Sequence, residues 1–196
     1  MAGPPTAPPS PRSRQIKCIA ISLLALIVLI GLTVLIVWLV IRPKRLEYTI
    51  EDGSVHGYDM KYNHINASFN FMLKAYNPNR KVSVYYDSMQ VTLLYDDAPI
   101  AFDVVEPFFQ PHRNVTLLEL KPVAHTAPLL VSAAKDLNVE RMSGEMELTI
   151  KVKARIHFKV GSWKSSKRTL WATCSQVDVH FSSPKSFSKI KCDTDT

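Results

Sequence analysis

Basic side chains recur at every second position between Leu148 and Gly161, and apolar side chains fill the positions between them. The basic residues are Lys151, Lys153, Arg155, His157 and Lys159. Such a row of cations can bind phosphate groups, carboxylates or nucleic acid. The same alternation is also typical of a β-strand with one face in a core and the other in water. The sequence therefore offers two interpretations, an anion-binding row and a solvated strand face.

The distribution of charge along the chain favours the solvated face. The formal net charge is +7, but the first 45 residues hold six of the 24 basic residues and none of the 17 acidic ones. Nucleic-acid readers pair a broad basic surface with aromatic platforms or a groove-binding helix, and in the sequence neither accompanies this strand. We therefore exclude nucleic acid as a partner. Contact with anionic lipid headgroups or an acidic polysaccharide is retained as a functional alternative for Lys151, Lys153, Arg155 and Lys159.

No catalytic motif is present in the sequence. The patterns G-x-S-x-G, G-x-x-x-x-G-K, H-E-x-x-H and G-x-G-x-x-G are all absent, and the chain has only six glycines. The six histidines and three cysteines show no metal-ligand spacing. We expect a protein that is not an enzyme and that has no catalytic residue, metal site or cofactor.

The six basic residues among the first 45 lie on either side of one apolar segment, from Ile19 to Ile41. Its 23 residues carry no charge, and 17 of them are Leu, Ile or Val. A helix of this length reaches roughly 35 Å, against about 30 Å for the hydrocarbon core of a bilayer. A cleaved signal peptide has a shorter apolar core, about 7–15 residues, and a helix in a soluble core is rarely apolar on every side. We predict a transmembrane helix over residues 19–41.

The orientation of this helix follows from features other than charge, because three basic residues lie close to each end. Two N-glycosylation sequons, at Asn66 and Asn114, come after the span, and so do two of the three cysteines. Glycans and disulfides are added outside the cytosol. We therefore predict a single-pass type II protein, with a cytosolic N-terminus and an external C-terminal domain.

The cysteines have different expected roles on the two sides of the membrane. In an external domain Cys174 and Cys192 can form a disulfide that closes a loop of about 18 residues, and two unpaired thiols are the alternative. Cys18 lies at the inner edge of the span beside Lys17 and is a candidate acylation site, with an unmodified interfacial cysteine as the alternative.

Period-two alternation dominates the rest of the chain and predicts the fold class. Stretches such as "NASFNFMLKAY", "DSMQVTLLYDD" and "SQVDVHF" alternate apolar and polar residues, and turn residues follow them. The pattern predicts a mainly β fold, an antiparallel β-sandwich of about seven strands. Residues 126–144 instead have apolar residues at helical spacing, with Pro128 suited to a first turn and Gly144 to a stop, and they predict one short helix.

The predicted organisation has five parts. They are a disordered proline-rich cytosolic tail (1–18), the transmembrane helix (19–41), a juxtamembrane connector with the first strand (42–60), the β-sandwich domain (61–183) and a C-terminal tail (184–196).

Several motifs in order give the chain a family resemblance. They are "VIRPKR" at the end of the span, then "NPNRKVSVYYD", "FQPHRNV" and "KVKARIHFKVGSWKS", followed by Cys174. Together they resemble the plant group 2 late embryogenesis abundant domain, in its membrane-anchored branch of harpin-induced and non-race-specific disease resistance proteins. The resemblance implies an immunoglobulin- or fibronectin-like β-sandwich with one helix, mostly at the plasma membrane, and a role in defence or stress responses. It implies no catalytic residues.

The expected function follows from the anchor and the domain together. We expect a non-enzymatic plant membrane protein whose external sandwich contacts partner proteins or acidic cell-wall polysaccharide. The endoplasmic reticulum and the plasmodesma are alternative locations. The alternative function is a lipid-binding or lipid-transfer module that takes a lipid between its sheets beside the bilayer. The sequence does not predict the oligomeric state.

Overall fold

The computed structural model describes residues 11–41, 44–181 and 187–195, with helical side chains described from residue 15 to residue 36. These residues belong to two compact units, Met1–Arg42 and Pro43–Thr196. Each unit is described by itself.

The first unit contains one long helix, α1, which runs from Pro11 to Ile41 over 31 residues. Its segment Gln15–Ile36 has a mean hydropathy of 3.1 and none of it is buried inside the structure, so α1 is a candidate membrane span by length and composition. The prediction of disorder up to residue 18 is wrong for residues 11–18, which are helical. Proline is compatible with the first turn of a helix, and no further proline or glycine follows until Gly31. Residues 1–10 of the predicted tail lie outside the described residues.

The second unit is mainly β. Its elements are β1 (Glu47–Lys61), β2 (His64–Tyr76), β3 (Ser83–Tyr95), β4 (Ala98–Val105), β5 (Phe108–Gln110), β6 (Val115–Leu120), β7 (Val123–Pro128), α2 (Val131–Ser143), β8 (Glu145–Val160), β9 (Trp163–Lys164), β10 (Arg168–His180), β11 (Ile190–Lys191) and β12 (Asp193–Asp195).

Seven strands close into a barrel-like sheet in the order β1-β10-β8-β3-β4-β7-β2, with β2 returning to β1. Most neighbours in this ring pair over long antiparallel stretches, but two pairs meet at one position only. These are the parallel contact of Ser54 with His180 and the antiparallel contact of Phe102 with Val123. The predicted mainly β fold is confirmed. The sandwich and its immunoglobulin-like description are not, because the two contacts join all the strands into one continuous sheet.

Two tight turns set the register of the long hairpins. Tyr62 and Asn63 link β1 to β2 with φ of 49° and 60°, and Asp96 and Asp97 link β3 to β4 with φ of 46° and 59°. Positive φ at both central residues gives a turn whose twist matches that of antiparallel strands.

Apolar side chains fill the inside of the barrel. The largest fully buried side chains are Tyr48, Tyr86, Phe71, Ile50, Ile65, Leu73, Met89, Leu93, Leu120, Leu137, Met146 and Leu148. The long strands supply most of them from alternate positions, as the period of two predicts, and helix α2 supplies Leu137. Burial of these side chains is the main source of the domain's stability.

Helix α2 packs Ala133, Ala134 and Leu137 into the core and ends at Gly144. Gly144 has a φ of 86°, and its N–H donates to the carbonyls of Glu140 and Arg141. The predicted helix and its stop are therefore confirmed. The predicted start is wrong, because Pro128 closes strand β7, where its missing N–H is tolerated at the strand end.

Buried amide side chains tie together one end of the barrel, which we call the connector end. It is the end at which the chain enters at Lys44, between the loops 77–82 and 111–114. Asn79 Oδ1 accepts from the N–H of Lys44 at 2.6 Å, and Asn79 Nδ2 donates to the carbonyl of Lys44 at 3.0 Å. Asn77 Nδ2 donates to the carbonyls of Val82 and Pro111 at 2.9 and 3.0 Å. These bonds fix the entering chain to the loop 77–82, and that loop to the loop 111–114.

Described residues near the C-terminus add two short strands to the sheet, within the segment 184–196 that the sequence analysis predicts as a C-terminal tail. Strand β11 pairs with β1, and β12 pairs with β10. Strands of two and three residues are too short to show a period in the sequence. Residues 182–186 lie outside the described residues.

Candidate functional site

The basic row of the sequence lies on the outer surface of strand β8. Lys151, Lys153 and Arg155 are exposed, while the alternate residues Val152 and Ala154 are fully buried. Strand β8 lies between β3 and β10, so its outward side chains are flanked on both sides. We call this surface, with the outward side chains of β3, β5 and β10 beside it, the β8 face. The position of the row on the outer surface agrees with the interpretation of the row as a solvated strand face.

Aromatic rings accompany this basic row, contrary to the sequence analysis. Lys153 Nζ lies 4.8 Å from the ring centroid of Trp171, which the register of β8 and β10 places directly opposite. Lys159 and Lys164 lie 5.9 and 5.3 Å from the ring of Tyr85. Cations at these distances interact favourably with the ring faces. The rings come from strands distant in sequence, so inspection of β8 alone could not find them.

Tyr85 is the centre of a cluster of rings at the end of the β8 face, stacked on His157 and tilted against Phe109. Its ring centroid is 4.5 Å from that of Phe109 and 4.8 Å from that of His157. Trp171 and Phe109 remain 48 % and 44 % exposed, so their rings are available to a ligand. The period of two in β10, which puts Trp171 on the same face as Thr169 and Thr173, was a signal that could have located one of these rings.

One carboxylate is embedded among these cations. Asp87 lies 3.3 Å from His157 Nδ1 and 3.2 Å from Lys167 Nζ. Although partial burial opposes the shift, the hydrogen bonds from Lys167 and His157 lower the pKa of Asp87 below its ordinary value. Asp87 therefore stays ionised and holds His157 and Lys167 in place, while Lys151, Lys153 and Arg155 remain free of a salt bridge within the described ranges.

The two sequon asparagines lie at the surface of the barrel, each with a nearby hydroxyl group. Asn66, on β2, accepts from the N–H of Thr126 at 2.8 Å through Oδ1. Asn114 precedes β6 and accepts from the hydroxyl of Thr116 at 3.3 Å. Both side chains are half-buried and have their Oδ1 atoms engaged. The glycosylation of either stays a prediction.

The three cysteines are placed as follows. Cys174 and Cys192 form a disulfide with an S–S distance of 2.03 Å, and both are buried. It joins β10 to the residue between β11 and β12. Cys18 is an exposed free thiol on α1, and its acylation stays a prediction. Within the described residues, no three His, Cys, Asp or Glu side chains are placed to hold a metal ion.

The fold and the β8 face define a class of protein: a closed β domain with a basic and aromatic outer surface, preceded in the chain by a long apolar helix. The model of the family described as "Late embryogenesis abundant protein" (LEA_2) matches residues 72–174. The chain therefore belongs to the LEA_2 family, among its NDR1/HIN1-like members.

Curated relatives match most of the chain. An uncharacterized protein of Arabidopsis thaliana is 37 % identical over 95 % of this chain and 86 % of its own length. NDR1/HIN1-like proteins 10 and 3 of the same plant are 28 % and 29 % identical; they match 98 % and 88 % of this chain, and 94 % and 78 % of their own lengths.

Solved structures are less similar. The solution structure of the Arabidopsis thaliana protein AT1g01470 matches with a TM-score of 0.40 at 14 % identity, covering 74 % of this chain and 88 % of that one.

Proposed function

We propose that this protein is a single-pass, non-enzymatic membrane protein of plant stress and defence responses, with its β domain on the external side of the plasma membrane. The candidate span in α1 supports the anchor. The buried disulfide supports an oxidising compartment for the domain. Family membership and the NDR1/HIN1-like relatives support the physiological role.

We further propose that the β8 face contacts acidic cell-wall polysaccharide. The observation that carries this proposal is the alternation of unpaired cations with exposed rings on one surface, above all Lys153 against Trp171. Cations bind the carboxylates of uronic acid sugars, and an aromatic ring packs against the apolar face of a pyranose ring. A surface of this composition suits a repeating anionic sugar better than a purely charged row does.

Binding to polygalacturonate tests the contact. The full chain in neutral nanodiscs should bind polygalacturonate and not dextran, a neutral polymer. The substitution Trp171→Ala should weaken binding roughly fivefold, because the ring contributes about 1 kcal/mol through stacking and cation–π contact. Lys153→Gln should weaken it by a similar factor, since a charge-assisted contact is lost.

The matched control changes a base on a different element. Lys135 is an exposed residue on α2, and Lys135→Gln removes the same charge without touching the β8 face. Equal binding by all variants, or equal binding of dextran, would refute the polysaccharide contact and leave protein partners as the contact of the domain.

The alternative of a lipid held inside the domain stays a prediction. The interior is occupied by side chains such as Tyr48, Phe71 and Leu93, which are at most 1 % exposed. An acyl chain would have to displace them at a cost of several kcal/mol, since interiors are close-packed. Mass spectrometry of native and delipidated protein tests this, and a co-purifying lipid in the native sample would favour the alternative.

A further inference from the structure

The connector end of the barrel carries a second basic surface, apart from the exposed bases of the β8 face. Its centre is a groove of about 420 Å³, which we call the basic groove, between the loops that follow β2 and β5 and the turn that follows β8. Arg80, Lys81, His112 and Lys159 line it, together with the ring of Phe109. Arg80 and Lys81 are exposed, and neither forms a salt bridge within the described part of the chain. Unpaired cations that converge on one groove constitute a site for an anion.

The opposite end of the barrel has the opposite charge. A groove there is lined by five carboxylates, those of Asp96, Asp97, Asp136, Glu140 and Glu147. Strand β3 runs between the two ends, from Ser83 at the basic groove to Tyr95 at the acidic one, and its 13 residues extend about 40 Å. The two grooves at the ends of β3 therefore carry opposite charge.

The basic groove is tied to the point at which the chain enters the domain. Asn79, the residue before Arg80, holds both backbone polar groups of Lys44. In the sequence only Arg42 and Pro43 separate Lys44 from Ile41, the last residue of α1. Three residue steps reach at most about 11 Å. If α1 spans a membrane, the chain length alone keeps the connector end within reach of the headgroups.

We propose that the basic groove binds the phosphate groups of anionic lipid headgroups in the membrane that holds α1. This inference rests on the proposed membrane anchoring and names a partner for the connector end of the barrel, where Lys159 and Phe109 also border the β8 face. Headgroups fit better than polysaccharide here, because the tether brings this end to the bilayer, while the exposed bases of the β8 face lie along the side of the barrel. Each base close to an anionic surface strengthens the contact roughly fivefold.

Trp163 provides a reporter for the contact. It pairs with Val160 at the edge of the basic groove and is 60 % exposed. A chain with Trp38→Phe and Trp171→Phe keeps Trp163 as its single tryptophan. This full chain is placed in nanodiscs of phosphatidylcholine, with or without about 30 % phosphatidylserine, that contain a lipid with a nitroxide on its headgroup. Quenching of Trp163 fluorescence then reports how close the groove lies to the headgroups.

We expect stronger quenching in the anionic discs than in the neutral ones, and loss of the difference near 1 M salt, where the screening length is about 3 Å. Arg80→Gln with Lys81→Gln should shift the bound-to-free ratio of the groove by roughly 25-fold toward the free state. The matched control, Lys61→Gln with Lys135→Gln, removes two exposed bases outside the groove and should leave the quenching unchanged. Near-ultraviolet circular dichroism of each variant verifies that the domain is folded.

Three results would overturn the proposal. The first is equal quenching in neutral and anionic discs, and the second is equal quenching by the groove variant and the control variant. The third is complete loss of quenching in millimolar inorganic phosphate, which would show a site for free phosphate instead of headgroups. Co-migration of the chain with the discs is scored separately. A chain that does not co-migrate with the discs refutes the membrane anchor. If the chain co-migrates but one of the three results above is found, only this inference is refuted.

Discussion

Three buried polar side chains near the connector end form a hydrogen-bonded row, and the direction of its bonds predicts which substitution destabilises the fold most. The hydroxyls of Tyr48 and Tyr86 lie 2.6 Å apart, and Tyr86 donates to Gln110 Oε1 at 3.3 Å. A hydroxyl carries one hydrogen, so Tyr48 must be the donor to Tyr86. Burial raises the pKa of both tyrosines well above their ordinary value, so both hydroxyls remain protonated.

The two tyrosine-to-phenylalanine substitutions should therefore differ in cost. Tyr48→Phe removes one accepted bond and leaves Tyr86 bonded to Gln110, so it should lower the free energy of unfolding by about 1 kcal/mol. Tyr86→Phe leaves both the Tyr48 hydroxyl and Gln110 Oε1 without partners in the core. At about 1–3 kcal/mol for each of the two unsatisfied groups, the loss should be about 2–6 kcal/mol.

The double variant gives the sharpest test. With Tyr48 also changed to Phe, one of the two unsatisfied groups disappears, so the double variant should be more stable than Tyr86→Phe alone by about 1 kcal/mol or more. Urea unfolding of the full chain in detergent micelles, followed by near-ultraviolet circular dichroism, measures all three variants. Tyr62→Phe, at a 95 % exposed position, is the control and should have no effect. Additive losses, or a larger loss for Tyr48→Phe than for Tyr86→Phe, would refute this assignment of donors.

Three further results are expected. Reduction of the disulfide between Cys174 and Cys192 should lower the free energy of unfolding by about 3 kcal/mol, for a sequence separation of 18 residues, as measured by urea unfolding with and without reductant; an unchanged midpoint would contradict this. Burial raises the pKa of Glu140 among the carboxylates of the acidic groove, so its ionised form destabilises the fold at neutral pH. Glu140→Gln should therefore raise the melting temperature at pH 7. This gain in melting temperature should vanish as the pH falls through the raised pKa to below the unfolded-state pKa of about 4.3. A gain that grows in acid would contradict the claim that ionised Glu140 destabilises the fold. Endoglycosidase should increase the gel mobility of the protein expressed in plant cells, by a smaller step for Asn66→Gln or Asn114→Gln and not at all for the double variant; no shift for the unmodified chain would remove the support that the sequons give to the topology.

Much of the fold could be predicted because long strands carry a visible period. Strands β2, β3 and β8 each have 13 residues or more, and their alternation marks both their extent and their buried face. Strands β5, β9, β11 and β12 have two or three residues each, too few for any period. Closure of the barrel depends on two single-position contacts, which no local pattern encodes.

The candidate site was predictable in part for a similar reason. The basic row is local to β8 and could be read directly, including the outward direction of Lys153. Its ring partner Trp171 lies on another strand, and their contact depends on the register of β8 with β10. The burial of Asn77 and Asn79 was also missed, because a turn motif in a sequence is ordinarily solvated.

The position of the β domain relative to the membrane is the central claim, and protease protection measures it most directly. The chain is synthesised in the presence of sealed endoplasmic reticulum microsomes and then exposed to protease from the cytosolic side. We predict that residues 44–196 survive intact, that only the N-terminal segment is removed, and that detergent makes the domain accessible. Digestion of the domain in microsomes that still protect a luminal marker protein would contradict the account.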